Sequence, residues 1–129
     1  MPSQPKPRTE SLYNSVHNCI DSIVAARSNK AAAKEYVETL QTIEDSCRLV
    51  VNEALKHRPK KRAPEFEKNG ARLIEIIDKI EKKIREIKDA VGSKGLDAHK
   101  GEVLKSEFKE IFLEFDRIFR VTESLSEAA

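Results

Sequence analysis

Leu73-Ile74-Glu75-Ile76-Ile77-Asp78-Lys79-Ile80-Glu81-Lys82-Lys83-Ile84-Arg85-Glu86-Ile87-Lys88-Asp89-Ala90-Val91 is the stretch that decides the fold. Leu73, Ile77, Ile80, Ile84, Ile87 and Val91 follow one another in alternating steps of four and three, which places them along one stripe of an α-helix. Outside that stripe, Glu75/Lys79, Asp78/Lys82 and Glu81/Arg85 are spaced as acid-before-base i,i+4 pairs. A helix over residues 64–91 follows, with Pro64 suited to its first turn and Gly92 to its end. A stripe this narrow buries itself only against other helices, so the rest of the chain is read for partners.

Upstream, Arg58-Pro59-Lys60-Lys61-Arg62-Ala63-Pro64 breaks the periodicity, because each proline removes a backbone donor and pushes its predecessor out of the helical region. Before the break, Tyr36, Leu40, Ile43, Cys47, Val50 and Ala54 repeat the same spacing with Val37, Val51 and Leu55 beside them. Ser28 and Asn29 are suited to cap that helix, expected over 29–57. A first helix over 9–27 carries Leu12, Val16, Cys19, Ile23 and Ala26, widened by Ile20 and Val24. It is the shortest and most polar, and so the one expected to be held most loosely. Residues 1–8 contain three prolines and no apolar period, and read as a disordered tail.

Downstream, the glycines between Gly92 and Gly101 mark a connection, with Asp97 placed to cap a last helix over 98–122. Leu104, Phe108, Ile111, Phe115 and Ile118 form its seam, and Phe112 and Phe119 flank it. Four stripes of similar length joined by short connections predict an all-α, antiparallel up-down-up-down four-helix bundle over residues 9–125. Composition agrees: 39% apolar and 36% charged, with five Phe, two Tyr and no Trp in 129 residues, suits amphipathic helices in one domain.

No catalytic equipment is legible. His17, His57 and His99 are scattered, and none joins an H-E-x-x-H or a Glu-x-x-His pair, so no metal or other cofactor is expected. Glu107, Glu110 and Glu114 share a side of the last helix, but Lys105, Lys109 and Arg117 interleave with them as on a solvated face. Glycine-rich phosphate motifs and a nucleophile with an adjacent base are both absent from the sequence. The expectation is a protein that is not an enzyme and has no small-molecule substrate.

Cys19 and Cys47 lie on apolar stripes, and a turn near Ser28 would offset their sulfurs by roughly 14 Å along the helices, so free buried thiols are expected. With no apolar leader and no stretch of membrane-spanning length, a reducing cytoplasmic setting is the default, with peripheral membrane attachment an open possibility. A formal charge of +2 is too small to point to nucleic acid. Basic character is nevertheless concentrated at Arg58, Lys60, Lys61 and Arg62, beside His57. This run has three readings: a solvated turn, a surface for anionic lipid headgroups, or a nuclear-import or nucleic-acid patch, the last disfavoured because no aromatic side chains interleave for base stacking.

Ser28-Asn29-Lys30-Ala31-Ala32-Ala33-Lys34, Glu67-Lys68-Asn69-Gly70-Ala71-Arg72-Leu73-Ile74-Glu75-Ile76-Ile77 and Phe108-Lys109-Glu110-Ile111-Phe112-Leu113-Glu114-Phe115 carry a family resemblance. Across about residues 12–122 the chain resembles the N-terminal four-helix bundle of mixed lineage kinase domain-like proteins and the related fungal HeLo-like and plant cell-death bundles. That resemblance implies a signalling domain that self-associates or docks on a protein partner. It also implies binding of anionic phospholipid through basic residues of the bundle, a role carried here onto Arg58, Lys60, Lys61 and Arg62. The chain is also similar to the regulatory three-helix N-terminal domain of syntaxins. This second resemblance implies protein docking; the corresponding expectation is an adaptor or self-associating bundle without membrane activity that uses a groove between helices one and four.

Overall fold

The computed structural model describes residues 8–127 and consists of four helices: α1 (Arg8–Ala25), α2 (Lys30–Leu55), α3 (Ala63–Gly92) and α4 (Ala98–Glu127). No strand occurs among the described residues. The tail expected over residues 1–8 lies outside them except for Arg8, which opens α1.

Each helix packs on its neighbours in sequence, and α1 also packs on α4, closing a ring. Cross-helix contacts give the directions. Lys30 reaches the carbonyl of Gly92 while Arg48 reaches Asp78, so α2 and α3 are antiparallel. Arg72 pairs with Glu114 and Lys83 with Glu107, so α3 and α4 are antiparallel too. Lys105 pairs with Asp21, and the Tyr13 ring lies 6.1 Å from that of Phe112, which makes α1 and α4 antiparallel. The expected up-down-up-down bundle is the one formed.

Helix α3 buries Leu73, Ile77, Ile80, Ile84, Ile87 and Val91 as its spacing predicts, with Phe66 and Ile76 added. Two other stripes are rotated from the expected ones. In α2 the core face is Ala33, Val37, Leu40, Glu44, Cys47 and Val51, with Ile43 on its edge, while Tyr36 is 38% exposed and Val50 and Ala54 are half-buried. In α4, Phe112 and Phe119 are core and Ile111 and Ile118 are half-buried. Phe108, Phe112, Phe115 and Phe119 run as a continuous ladder whose last two rings stack at 5.8 Å. The short α1 sends Val16, Ile20 and Ile23 fully into the core.

Helix ends differ from expectation by a few residues, as ends do. α1 stops at Ala25 rather than Arg27, and Asn29 caps α2 by accepting the amide of Ala32 at 3.1 Å. α2 ends at Leu55, two residues before His57. α4 runs five residues past 122, because Leu125 is buried and Thr122, also buried, satisfies its hydroxyl on the carbonyl of Ile118 at 2.8 Å. The left-handed residue after α3 is Gly95, at φ +86°, and not Gly92; its amide returns to the carbonyl of Ala90 at 2.8 Å. Asp97 caps α4 by accepting the amide of Lys100 at 2.7 Å.

Side-chain pairing also departs from the simple i,i+4 scheme. Glu81 pairs with Arg85 as expected, but Asp78 pairs with Arg48 of α2, and Glu75 pairs with Arg72. Longer-range partners win where a neighbouring helix offers a guanidinium, whose fork can serve several carboxylates at once.

Candidate functional site

The α2–α3 connection forms one end of the bundle. Leu55 closes α2 against Gly70 of α3, where an added Cβ would come within 2.8 Å of the leucine Cδ2. This close approach brings the two helices together just beneath the connection. Pro59 is buried and anchors the loop, while Arg62 adopts a left-handed conformation (φ 59°, ψ 28°) that turns the chain into α3 ahead of Pro64. The loop is therefore held at both ends, and its apex consists of Lys60 and Lys61.

The four expected basic residues are all exposed, but they are not equivalent. Arg58 pairs with Glu67 at 2.8 Å, and the Arg62 Nε donates to Glu65 at 2.8 Å. Lys60 and Lys61 make no ion pair among the described residues. Residues 56–68 hold six basic and two acidic side chains, a net +4. Both arginine pairs lie in solvent, where such pairs contribute about 0–1 kcal/mol and open readily toward a stronger anionic field. The sequence located this cluster, but the division into two paired arginines and two unpaired lysines depends on Glu65 and Glu67 facing back across the turn.

The cross-helix charges are elsewhere. Glu44, 9% exposed on the core face of α2, accepts from Arg48 at 2.9 Å, and the same guanidinium reaches Asp78 at 3.1 Å and Glu81 at 2.9 Å. Hydrogen bonding to Glu44, its largest influence, raises the pKa of Arg48. Beside this network an open hollow of about 520 Å³ is lined by Gln41, Glu44, Asp45, Glu81 and Arg85, among others. A second hollow, of about 570 Å³, shares Gln41 and Lys88 with it and continues along the α2–α3 groove. Among the described residues no group of His, Cys, Asp or Glu is arranged to hold a metal ion.

Several of the remaining residues singled out from the sequence have structural partners, whereas Glu110 and His99 are exposed. Glu107 and Glu114, expected on a solvated face, instead reach α3 through Lys83 (3.0 Å) and Arg72 (2.7 Å). The Arg72 guanidinium, hydrogen-bonded to Glu114, holds that carboxyl below its usual range. His17 lies 3.5 Å from Asp21 and meets the Tyr13 ring edge-on. Cys19 and Cys47 are free and buried; burial, with Glu44 adding to it, pushes the Cys47 thiol up to about 12.

Sequence reading missed a second basic cluster at the opposite end of the bundle. There the α1–α2 turn and the α3–α4 connection bring together Arg27, Lys30, Lys94 and Lys100, all exposed. These four are spread over 74 positions of the chain, so no run of charge announces them; assigning charges to bundle ends once the antiparallel topology is drawn would find them. Among the described residues no helix is long and apolar enough to cross a membrane. Comparison with protein-family models, curated proteins and solved structures gives no match.

Proposed function

We propose that the protein is a non-catalytic docking bundle that attaches to anionic phospholipid surfaces through the α2–α3 loop. The observation that carries this reading is the pair Lys60 and Lys61: two exposed ammonium groups with no ion pair among the described residues, at the apex of a loop anchored by a buried proline. Each basic side chain close to an anionic bilayer contributes about 1 kcal/mol. Lys60 and Lys61 supply that attraction directly, and Arg58 and Arg62 add to it when their exposed pairs with Glu67 and Glu65 exchange for lipid phosphate. The left-handed Arg62 and buried Pro59 also favour surface docking over capture of an extended basic peptide, as in nuclear import, because the loop does not present consecutive extended residues. A signalling role of the cell-death or immune type is the expectation attached to the family resemblance and rests on it.

Co-sedimentation with vesicles tests the reading. Affinity for phosphatidylcholine vesicles containing phosphatidylserine is expected to exceed that for phosphatidylcholine alone, and K60E/K61E is expected to lower it at least about tenfold, following the per-residue magnitude above. Equal recovery on both vesicle types, unchanged by the double substitution, contradicts it.

Docking of a protein partner or a second copy is the other reading, and the exposed Leu49 (73%) and Leu113 (58%) bear on it. They lie on α2 and α4, on opposite sides of the ring, and form no shared apolar patch. Lipid-free light scattering that shows a dimer, abolished by Leu49→Glu or Leu113→Glu, would favour this alternative.

A further inference from the structure

Charge in this molecule is arranged along its axis. Residues 56–68 at the loop end carry net +4, as above. At the opposite end, residues 26–34 and 88–101 hold six basic side chains (Arg27, Lys30, Lys34, Lys88, Lys94, Lys100) and two acidic ones (Asp89, Asp97), again net +4. The whole chain is +2, so the remaining residues sum to −6. Residues 13–25, 35–55, 69–87 and 102–115, which lie between the two ends, themselves sum to −6, so the bundle is basic at both ends and acidic at its waist. The six far-end cations are all exposed, and none makes an ion pair among the described residues. Nearer the waist, Arg48, Arg72, Lys83, Arg85 and Lys105 pair with carboxylates, while Lys82 and Lys109 are exposed and make no ion pair among the described residues.

The far end is also held firmly. Gly95, at φ +86°, presses its backbone so closely on the α1–α2 turn that an added Cβ would meet Arg27 Cγ at 2.8 Å and the Arg27 carbonyl oxygen at 3.2 Å. Lys30 crosses to the carbonyl of Gly92 at 3.2 Å, and the side chains of Asn29 and Asp97 cap the two helices that begin here. Two helices start and two end here, so their terminal partial charges offset and the positive charge of this end is that of its side chains. The cations are therefore spread over two connections locked together, a broad surface rather than a pocket for one small anion.

We infer that the bundle is double-ended: the surface formed by Arg27, Lys30, Lys94 and Lys100 docks on a second anionic phospholipid bilayer, so that one molecule bridges two membranes. This inference rests on the docking reading of the loop end. Thirty-residue helices such as α3 and α4 hold the two ends roughly 45 Å apart at 1.5 Å rise per residue. That span is several times the Debye length of about 8 Å at physiological ionic strength. Each end consequently meets its own surface independently, and the acidic waist disfavours lying flat against either one.

Dynamic light scattering of vesicles with the 129-residue chain tests the bridge, with co-sedimentation run in parallel. Wild-type protein is expected to cluster phosphatidylcholine vesicles that contain phosphatidylserine and to leave neutral ones dispersed. K94E/K100E changes exposed residues only, and its helical content and melting temperature verify the fold. The loop end carries four cations within five positions whereas those of the far end are spread over two connections, so the loop end is the tighter of the two; K94E/K100E is expected to stay within about threefold of wild type in co-sedimentation while clustering falls at least tenfold. K60E/K61E is expected to lose clustering as well. Wild-type protein that co-sediments without clustering overturns the bridge and leaves loop-end docking in place. Clustering by K94E/K100E equal to wild type also overturns it, since vesicles would then be joined by something other than the far end, such as self-association. Wild-type protein that does not co-sediment with either vesicle type removes loop-end docking and the bridge together.

Discussion

Glu44 occupies a core-facing step of α2 at which Leu40 and Cys47 on either side are fully buried. It is tolerated because Arg48, one turn on, neutralises it and then spreads to Asp78 and Glu81. Removing the arginine alone leaves a nearly buried carboxylate uncompensated, so Arg48→Ala is expected to cost about 1–3 kcal/mol in chemical denaturation. Glu44→Leu, which removes the buried charge and leaves Arg48 its two α3 partners, is expected to be neutral or stabilising. The reverse order would show that the network, not the surrounding apolar packing, holds this seam. Cys47 gives a pH signature. Its thiol ionises near 9.0 when unfolded but is pushed up to about 12 in the fold. The folded state therefore binds the extra proton between those values, and this contribution to stability is full below pH 9 and lost as pH rises toward 12. A thiol titration with an alkylating reagent at pH 8 is expected to find Cys47 unreactive until denaturant is added. Glycine spacing supplies a further contrast. A Cβ at Gly101 would sit 2.7 Å from Val24 Cγ2, a stiff β-branched side chain, whereas one at Gly70 meets the flexible end of Leu55. Gly101→Ala is expected to lose about 1–3 kcal/mol from overpacking and Gly70→Ala little or nothing, measured by thermal melts of the two variants.

Among the elements, α3 was the most readable, because its apolar side chains form one narrow stripe with charge on either side; Phe66 and Ile76 joined its buried face unannounced. In α2 and α4 the apolar residues form two adjacent stripes, and periodicity alone does not say which faces the bundle axis. α2 packs between α1 and α3, so its centre line falls on Val37, Leu40, Cys47 and Val51, while Tyr36 is pushed to the rim. Glu44 lies on that centre line, which made the neighbouring stripe through Ile43 and Val50 look more apolar in the sequence. In α4 the larger rings of Phe112 and Phe119 take the centre and Ile111 and Ile118 the edge. The connections were legible in position but not in mechanism: the proline break was plain, whereas Gly95 rather than Gly92 makes the left-handed turn. Gly95→Ala therefore places a side chain in a left-handed conformation and against the Arg27 carbonyl oxygen. A loss of about 1–3 kcal/mol is expected, and a melting temperature equal to wild type would contradict the loop–loop contact.

For the molecule as a whole, the local basic run at residues 58–62 was visible in the sequence because its charges are contiguous. The far-end cluster was not, since it exists only after four helices alternate in direction and two distant connections meet. At this scale we propose end-on attachment to an anionic bilayer through the α2–α3 loop. Backbone amide spectra recorded with bicelles that contain phosphatidylserine and a spin-labelled lipid test it most directly. The predicted result is strong broadening at Lys60, Lys61 and their loop neighbours, with the waist around Glu44, Asp78 and Glu81 spared and the effect weakened by added salt. Broadening along the side of the bundle with the loop unaffected, or a pattern identical with neutral bicelles, would contradict it.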